Sequence, residues 1–155
     1  IDALRDFNDK QSIDEIVFAG GGPLIEEHKK SSVDTGVKMS FPGFVGRQGL
    51  EKIYSDSHII ILPSKSEGFP KVIAEAAAYG CVPIVSDVSS VSQYFGEKSA
   101  FLLKDISAAG LKTKLSEAIK DREKLKHMSA NCTDSAGQFT FSHYMKLLKI
   151  KILDV

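Results

Sequence analysis

Two carboxylates, Glu67 and Glu75, bracket a stretch whose residue types suit an anionic ligand. It reads Leu62-Pro-Ser-Lys-Ser-Glu-Gly-Phe-Pro-Lys-Val-Ile-Ala-Glu75: an apolar run ends at Pro63, a small polar loop follows, and a helix is entered near Phe69-Pro70. Gly68 lets the backbone come close to a ligand. Pro70 suits the first helical position, where an N–H would have been unpaired anyway. A helix N-terminus reached through such a loop presents free N–H groups and a positive dipole end, so a phosphate or diphosphate is the natural guest. On a continuous helix the two carboxylates lie about 12 Å apart along the axis, with Glu75 about two turns in. Carboxylates accept hydrogen bonds from vicinal hydroxyls. A phosphate site between two of them matches the layout of a nucleotide sugar: ribose, diphosphate, hexose.

Such a loop needs a scaffold, and the rest of the chain supplies one. Short apolar runs at Glu15–Gly20, Val37–Phe41, His58–Leu62, Val82–Ser86 and Ala100–Leu103 alternate with helical patterns at Pro23–Ser31, Gln48–Ser55, Phe69–Tyr79 and Val88–Phe95. Alternation of this kind predicts an α/β, Rossmann-like doubly wound parallel sheet, in which ligands bind beyond the carboxyl ends of the strands. From Ile106 onward the pattern turns helical, with Ser107 opening one helix and Ser142 placed to cap the last. Asp2 to Asp9 reads as the end of a helix whose preceding strand the sequence does not contain.

The composition is that of an ordinary globular domain: 155 residues, 43% hydrophobic and 26% charged, so a disordered or fibrous chain is excluded. Twenty basic residues balance twenty acidic ones, which argues against a nucleic-acid partner. Cys81 and Cys132 stand in no metal or disulfide pattern, which suits reduced thiols in the cytoplasm. His28, His58, His127 and His143 share no ligand spacing, so no metal is assigned.

Other candidates are more evenly balanced. The Gly20-Gly21-Gly22-Pro23 turn makes a tight strand-to-helix connection, with ligand contact as the second option. Arg47, after Phe44-Val45-Gly46, is as well explained as a solvated arginine as by a role at the cleft mouth. Lys65 and Lys71 flank the phosphate position, and an exposed surface role fits both equally well.

Several blocks resemble glycosyltransferase family 4 (group 1), retaining enzymes of GT-B architecture. The residues are Pro63-Ser64-x-x-Glu67-Gly68-Phe69-Pro70-x-Val72-x-x-Glu75-Ala76, followed by Gly80-x-x-Pro83-Ile84-Val85. Glu67 and Glu75 are similar to that family's EX7E motif. Supporting matches are Phe18-Ala-Gly-Gly-Gly-Pro23, the Val37–Val45 segment with Phe41-x-Gly43, and Gln138-Phe-Thr-Phe-Ser142.

The resemblance implies the C-terminal, donor-binding domain over 1–155, without its first strand and without the N-terminal acceptor domain of the same polypeptide. It implies a hexosyltransferase using a nucleoside diphosphate sugar, with no cofactor and no metal, and a fragment inactive alone. Glu67 is the catalytic candidate, at the donor sugar. Glu75, Gly68, Phe69, Lys71, Val72, Gly21, Gly22, Val45 and Arg47 are the donor-binding candidates. A cytoplasmic enzyme is expected; the lysines of the last helix read as a solvated face, with peripheral contact at the inner face of the membrane as the second option.

This sequence departs from the family's pattern in places. Ser89-Ser90 and Gln93 stand where the family has Gly-Gly and Glu, and Ser99-Ala100 where it has Thr-Gly. The family's diphosphate-neutralising Arg and Lys have no counterpart, because Arg5 and Lys10 fall in or after the following helix. Two other readings stay open: a non-catalytic nucleotide-binding or receiver-like module, and a dinucleotide oxidoreductase. The first lacks an acidic cluster and the second a GxGxxG. The preferred nucleotide discriminates between them.

Overall fold

The computed structural model describes residues 1–88 and 90–153. Five short strands alternate with helices as the apolar runs predict: β1 (Ile16–Ala19), β2 (Met39–Gly43), β3 (Ile59–Leu62), β4 (Val82–Ser86) and β5 (Phe101–Leu103). The helices are α1 (Asp2–Arg5), α2 (Ile25–Ser32), α3 (Arg47–Asp56), α4 (Lys71–Ala78), α5 (Val91–Tyr94), α6 (Ala108–Lys120), α7 (Arg122–Ala136) and α8 (Phe141–Leu148). Ser89 of the Ser-Ser pair lies outside the described residues, and α5 is shorter than the predicted 88–95. Among the described residues no helix is long and apolar enough to cross a membrane.

All strand pairs are parallel. β4 lies between β3 and β5, with Ile60 opposite Pro83 and Ile84 opposite both Ile61 and Phe101. Every β4 residue is buried. Proline is rare inside a sheet because it lacks a donor. Here it is tolerated because Val82 donates toward β3, through its bond to the His58 carbonyl, so the position after it faces β5. The β5 ladder begins only at Ile84, and no donor is needed opposite Pro83.

One expectation is corrected. The strands form two ladders, β1-β2 and β3-β4-β5, instead of one continuous sheet. Among the described residues β1 and β3 each pair on one edge alone, although Ile16 and Ile59 pack against the same core. That shared core also takes in Leu4 and Phe7 from the α1 region, Ile73 and Ala77 of α4, and Met128 and Cys132 of α7.

α4 fits tightly because its inner side is Ile73, Ala76 and Ala77, all fully buried. Its end is closed by two bonds, Gly80 N–H to the Ala77 carbonyl and Cys81 N–H to the Ala76 carbonyl. Gly80 is left-handed, at φ +84°, and a Cβ there would stand 2.7 Å from Ser129 Oγ. That hydroxyl donates to the Gly80 carbonyl at 2.7 Å and ties α7 to the end of α4.

The helical tail is present, with a second correction at its last cap. Thr140, not Ser142, caps α8: its Oγ1 accepts from the His143 N–H at 3.2 Å. Thr140 has the extended backbone an N-cap needs, whereas Ser142 is already inside the helix. Phe141, Tyr144 and Leu147 leave an apolar side of α8 exposed.

Candidate functional site

The loop between β3 and α4 is held by side chains from three parts of the chain. Within the loop, Ser64 Oγ donates to Glu67 Oε1 at 3.0 Å. From the turn before α5, Ser90 Oγ donates to the Gly68 carbonyl at 3.4 Å. From the turn after α7, the Phe139 ring stacks on Phe69 with centroids 4.5 Å apart. Glu67 is half-buried, Gly68 is exposed and Pro70 is buried.

The helix begins later than the sequence predicts. Pro70 is the N-cap, with extended backbone (φ −76°, ψ 103°), and Lys71 is the first helical residue. Glu75 is therefore the fifth residue of α4, one turn in, and Glu67 lies outside the helix. The about 12 Å axial spacing assumed a continuous helix and does not apply across the loop.

Among the described residues no side chain caps α4, since the proline ring carries no acceptor. The Ile73 N–H bonds back to the Pro70 carbonyl at 3.0 Å. The N–H groups of Lys71 and Val72 come before it and are left for an outside acceptor. An anion there would meet two donors and the positive end of the helix. The Lys71 and Val72 side chains are both exposed.

Glu75 is exposed on the side of α4 toward the last turn of α3. Burial, reinforced by the Glu75 charge, holds the Tyr54 phenol above its ordinary range. Tyr54 also accepts, through its carbonyl, the Cys81 thiol at 3.1 Å, which locks α3 against the start of β4.

The remaining candidates sit on the loops after β1 and β2. The Gly20 N–H donates to the Gly43 carbonyl at 2.8 Å, so the two loops are joined at their base. Gly20 needs its freedom here, with φ at +130°. Gly21 and Gly22 are exposed, and Val45 is half-buried. Arg47 is the first residue of α3 and its Nε is paired with Glu51 Oε1 at 3.0 Å, one turn along the same helix. Arg5 pairs with Asp2 at 3.4 Å, and Lys10 Nζ donates to the Arg5 carbonyl at 2.6 Å.

Four residues at the site were quoted in sequence motifs without being made site candidates. Ser64 and Ser90 hold the loop by hydrogen bonds, and Phe139 holds it by stacking. Phe44, on the loop after β2, is 92% exposed, an aromatic surface beside Val45. A fifth, Ser86 at the carboxyl end of β4, has a buried hydroxyl with no partner among the described residues.

Comparison with known proteins adds kinship to this geometry. A model of the family "Glycosyl transferases group 1" matches residues 1–134. The chain is 27% identical over 127 residues to the sulfoquinovosyl transferase SQD2 of Arabidopsis thaliana, covering 79% of this chain and 24% of that protein. It is 32% identical over 81 residues to an uncharacterized glycosyltransferase of Methanocaldococcus jannaschii, covering 51% of this chain and 21% of that one. The chain thus spans about a quarter of the length of these curated relatives. In fold it is similar to the catalytic domain of cholesterol-alpha-glucosyltransferase from Helicobacter pylori, with a TM-score of 0.78 and 23% identity over 90% of this chain and 87% of that one.

Proposed function

The chain belongs to the glycosyl transferases group 1 family, and we propose that it is the C-terminal, donor-binding half of a retaining family 4 hexosyltransferase. The observation that carries this reading is the β3–α4 loop. It holds Glu67 through Ser64 and leaves the Lys71 and Val72 amides uncapped at the carboxyl end of β3.

In this reading the diphosphate lies against the amides of Gly68, Phe69, Lys71 and Val72, which meet the charge that builds up as the sugar leaves. Glu75 holds the ribose hydroxyls. Glu67 holds hydroxyls of the donor sugar and so orients the reacting carbon. Gly21, Gly22, Val45 and Arg47 line the nucleoside end from the neighbouring loops. No protein nucleophile, cofactor or metal is assigned.

The rest of the enzyme is part of the same proposal. The open edges of β1 and β3 suit one further parallel strand, preceding α1 in the polypeptide. The exposed apolar side of α8 suits an acceptor domain of the same polypeptide. Lys146, Lys149 and Lys151 suit peripheral contact with the inner face of the membrane, from the cytoplasm.

Calorimetry of this chain with UDP, GDP, ADP and NAD tests the core of the reading. One nucleoside diphosphate should bind and NAD should not. Binding of NAD alone, or of none of the four, refutes it.

A further inference from the structure

A cluster of four rings joined by five contacts, three of them made by Phe69, anchors the loop that carries Glu67. Phe139 lies 4.5 Å from Phe69, with planes 14° apart, and 4.9 Å from Tyr94. Tyr94 meets Phe69 edge-on at 5.4 Å. Phe95, fully buried, lies 6.4 Å from Phe69 and 6.1 Å from Phe139 and roots the cluster in the core. The cluster joins residues far apart in sequence: the β3–α4 loop, α5 and the turn Gly137–Phe139 between α7 and α8.

Phe69 is the one large side chain between the exposed Gly68 and the N-cap Pro70. Gly68 has no side chain to anchor it, and among the described residues its carbonyl is held by the long bond from Ser90. The direction in which the Gly68, Lys71 and Val72 amides point therefore depends on where the Phe69 ring is held. Phe139 covers one face of that ring, and offset or stacked pairs at this separation are attractive beyond simple burial.

We propose that Phe139, with Tyr94 beside it, is a positioning residue for the diphosphate-binding end of α4, acting through Phe69. The inference rests on the donor-site reading above and adds to it an element from the far end of the chain. The turn after α7 contributes to donor binding without touching the donor. It also leads directly to the Thr140 cap of α8, so the donor loop and the unpartnered last helix are mechanically continuous.

The test uses Phe139→Ala, Phe139→Leu and Phe139→Tyr in this chain, with two readouts. Amide hydrogen exchange follows Ile73, whose N–H bonds to the Pro70 carbonyl where the loop enters α4, and, as a reference, α6. Calorimetry uses UDP, GDP and ADP. Phe139→Ala should speed exchange at Ile73, the first bonded amide after the loop, about 3- to 10-fold, leave α6 unchanged, and weaken the bound nucleotide by a similar factor. Phe139→Tyr keeps the ring and should restore both. Phe139→Leu keeps apolar volume without a ring, so it should fold normally and still show the loop effect.

Unchanged nucleotide affinity in Phe139→Leu, or a rise in exchange spread equally over α6 and Ile73, overturns the inference while leaving the donor site standing. Failure of the unsubstituted chain to bind any of the three nucleotides is a different result, and refutes the donor-site reading itself.

Discussion

The Ser64 hydroxyl donates to Oε1 of Glu67 at 3.0 Å, so the loop's carboxylate is aimed by a residue three positions before it. A carboxylate held this way keeps its remaining lone pairs for an incoming hydroxyl. Ser64→Ala frees Glu67 to rotate without changing its charge. The bare nucleoside diphosphate should bind as before, because it has no sugar for Glu67 to meet. The intact sugar nucleotide should bind about 3- to 10-fold more weakly, the value of one modest hydrogen bond. Calorimetry with both ligands separates the two cases. Equal losses for both ligands would show that Ser64 supports the whole loop instead of Glu67.

The cap of α8 gives a second prediction. Thr140 Oγ1 accepts from the His143 N–H and donates to the Gly137 carbonyl at 2.9 Å, closing the turn that carries Phe139. Thr140→Ala should destabilise the N-terminal turn of α8 by about 0.5–2 kcal/mol, with faster amide exchange at His143. Ser142→Ala should leave exchange there unchanged, since Thr140 makes the cap. The reverse ranking would return the cap to Ser142.

The sequence was readable where local signals were unopposed. β4 begins and ends at the predicted residues because an apolar run follows the helix-ending Gly80 and closes at Ser86-Asp87. α6 runs to Lys120 as its apolar spacing predicts, and Ser107, read as its opening residue, is its N-cap, accepting from the Gly110 N–H. The start of α4 was displaced because proline's fixed φ suits both the N-cap and the first helical position. Only the observed ψ of 103° decides for the cap. Thr140 and Ser142 are equivalent as sequence signals, two residues apart, and backbone geometry alone separates them. The split between β1-β2 and β3-β4-β5 was not legible, because apolar runs report burial and not which edges pair. The Phe69–Phe139 stack is tertiary, spanning seventy residues, and no periodicity reveals it.

The thiols supply a prediction in pH. Both cysteines are free and buried, and the Cys132 thiol donates to the Ser99 carbonyl at 2.7 Å. Burial pushes Cys81 up to about 11 and Cys132 up to about 12, from an ordinary value of 9.0. Above pH 9 the unfolded chain therefore releases these protons before the folded chain does. Their contribution to stability is fully present below pH 9 and is lost as pH rises through 11 and 12. The urea midpoint should fall between pH 8.5 and about 10.5, and fall less in a chain carrying both Cys81→Ala and Cys132→Ala. Thiol titration without reductant should count two groups after denaturation and none rapidly before it. A denatured count of zero would contradict the reduced, cytoplasmic reading.

The two carboxylates should differ in which ligand they serve. Glu75 lies on α4, one turn beyond the uncapped amides, while Glu67 lies in the loop ahead of them. In the proposed donor site, a diphosphate seated on those amides has the Glu75 side for its nucleoside and the Glu67 side for its sugar. On that proposal Glu75→Ala removes a charged partner of the ribose, an interaction worth roughly 1.5–3 kcal/mol. Affinity should fall about ten- to a hundredfold for the bare nucleotide and for the sugar nucleotide alike. Glu67→Ala should weaken the sugar nucleotide alone. Glu75 is exposed, so its loss should leave the thermal midpoint within about 1–2 °C, as for other surface substitutions; a binding defect is then not a folding defect. Calorimetry of both variants with both ligands reads the assignment directly. If Glu67→Ala weakens the bare nucleotide as much as Glu75→Ala does, the roles of the two carboxylates are reversed or shared, and the order of ribose, diphosphate and sugar along the loop must be redrawn.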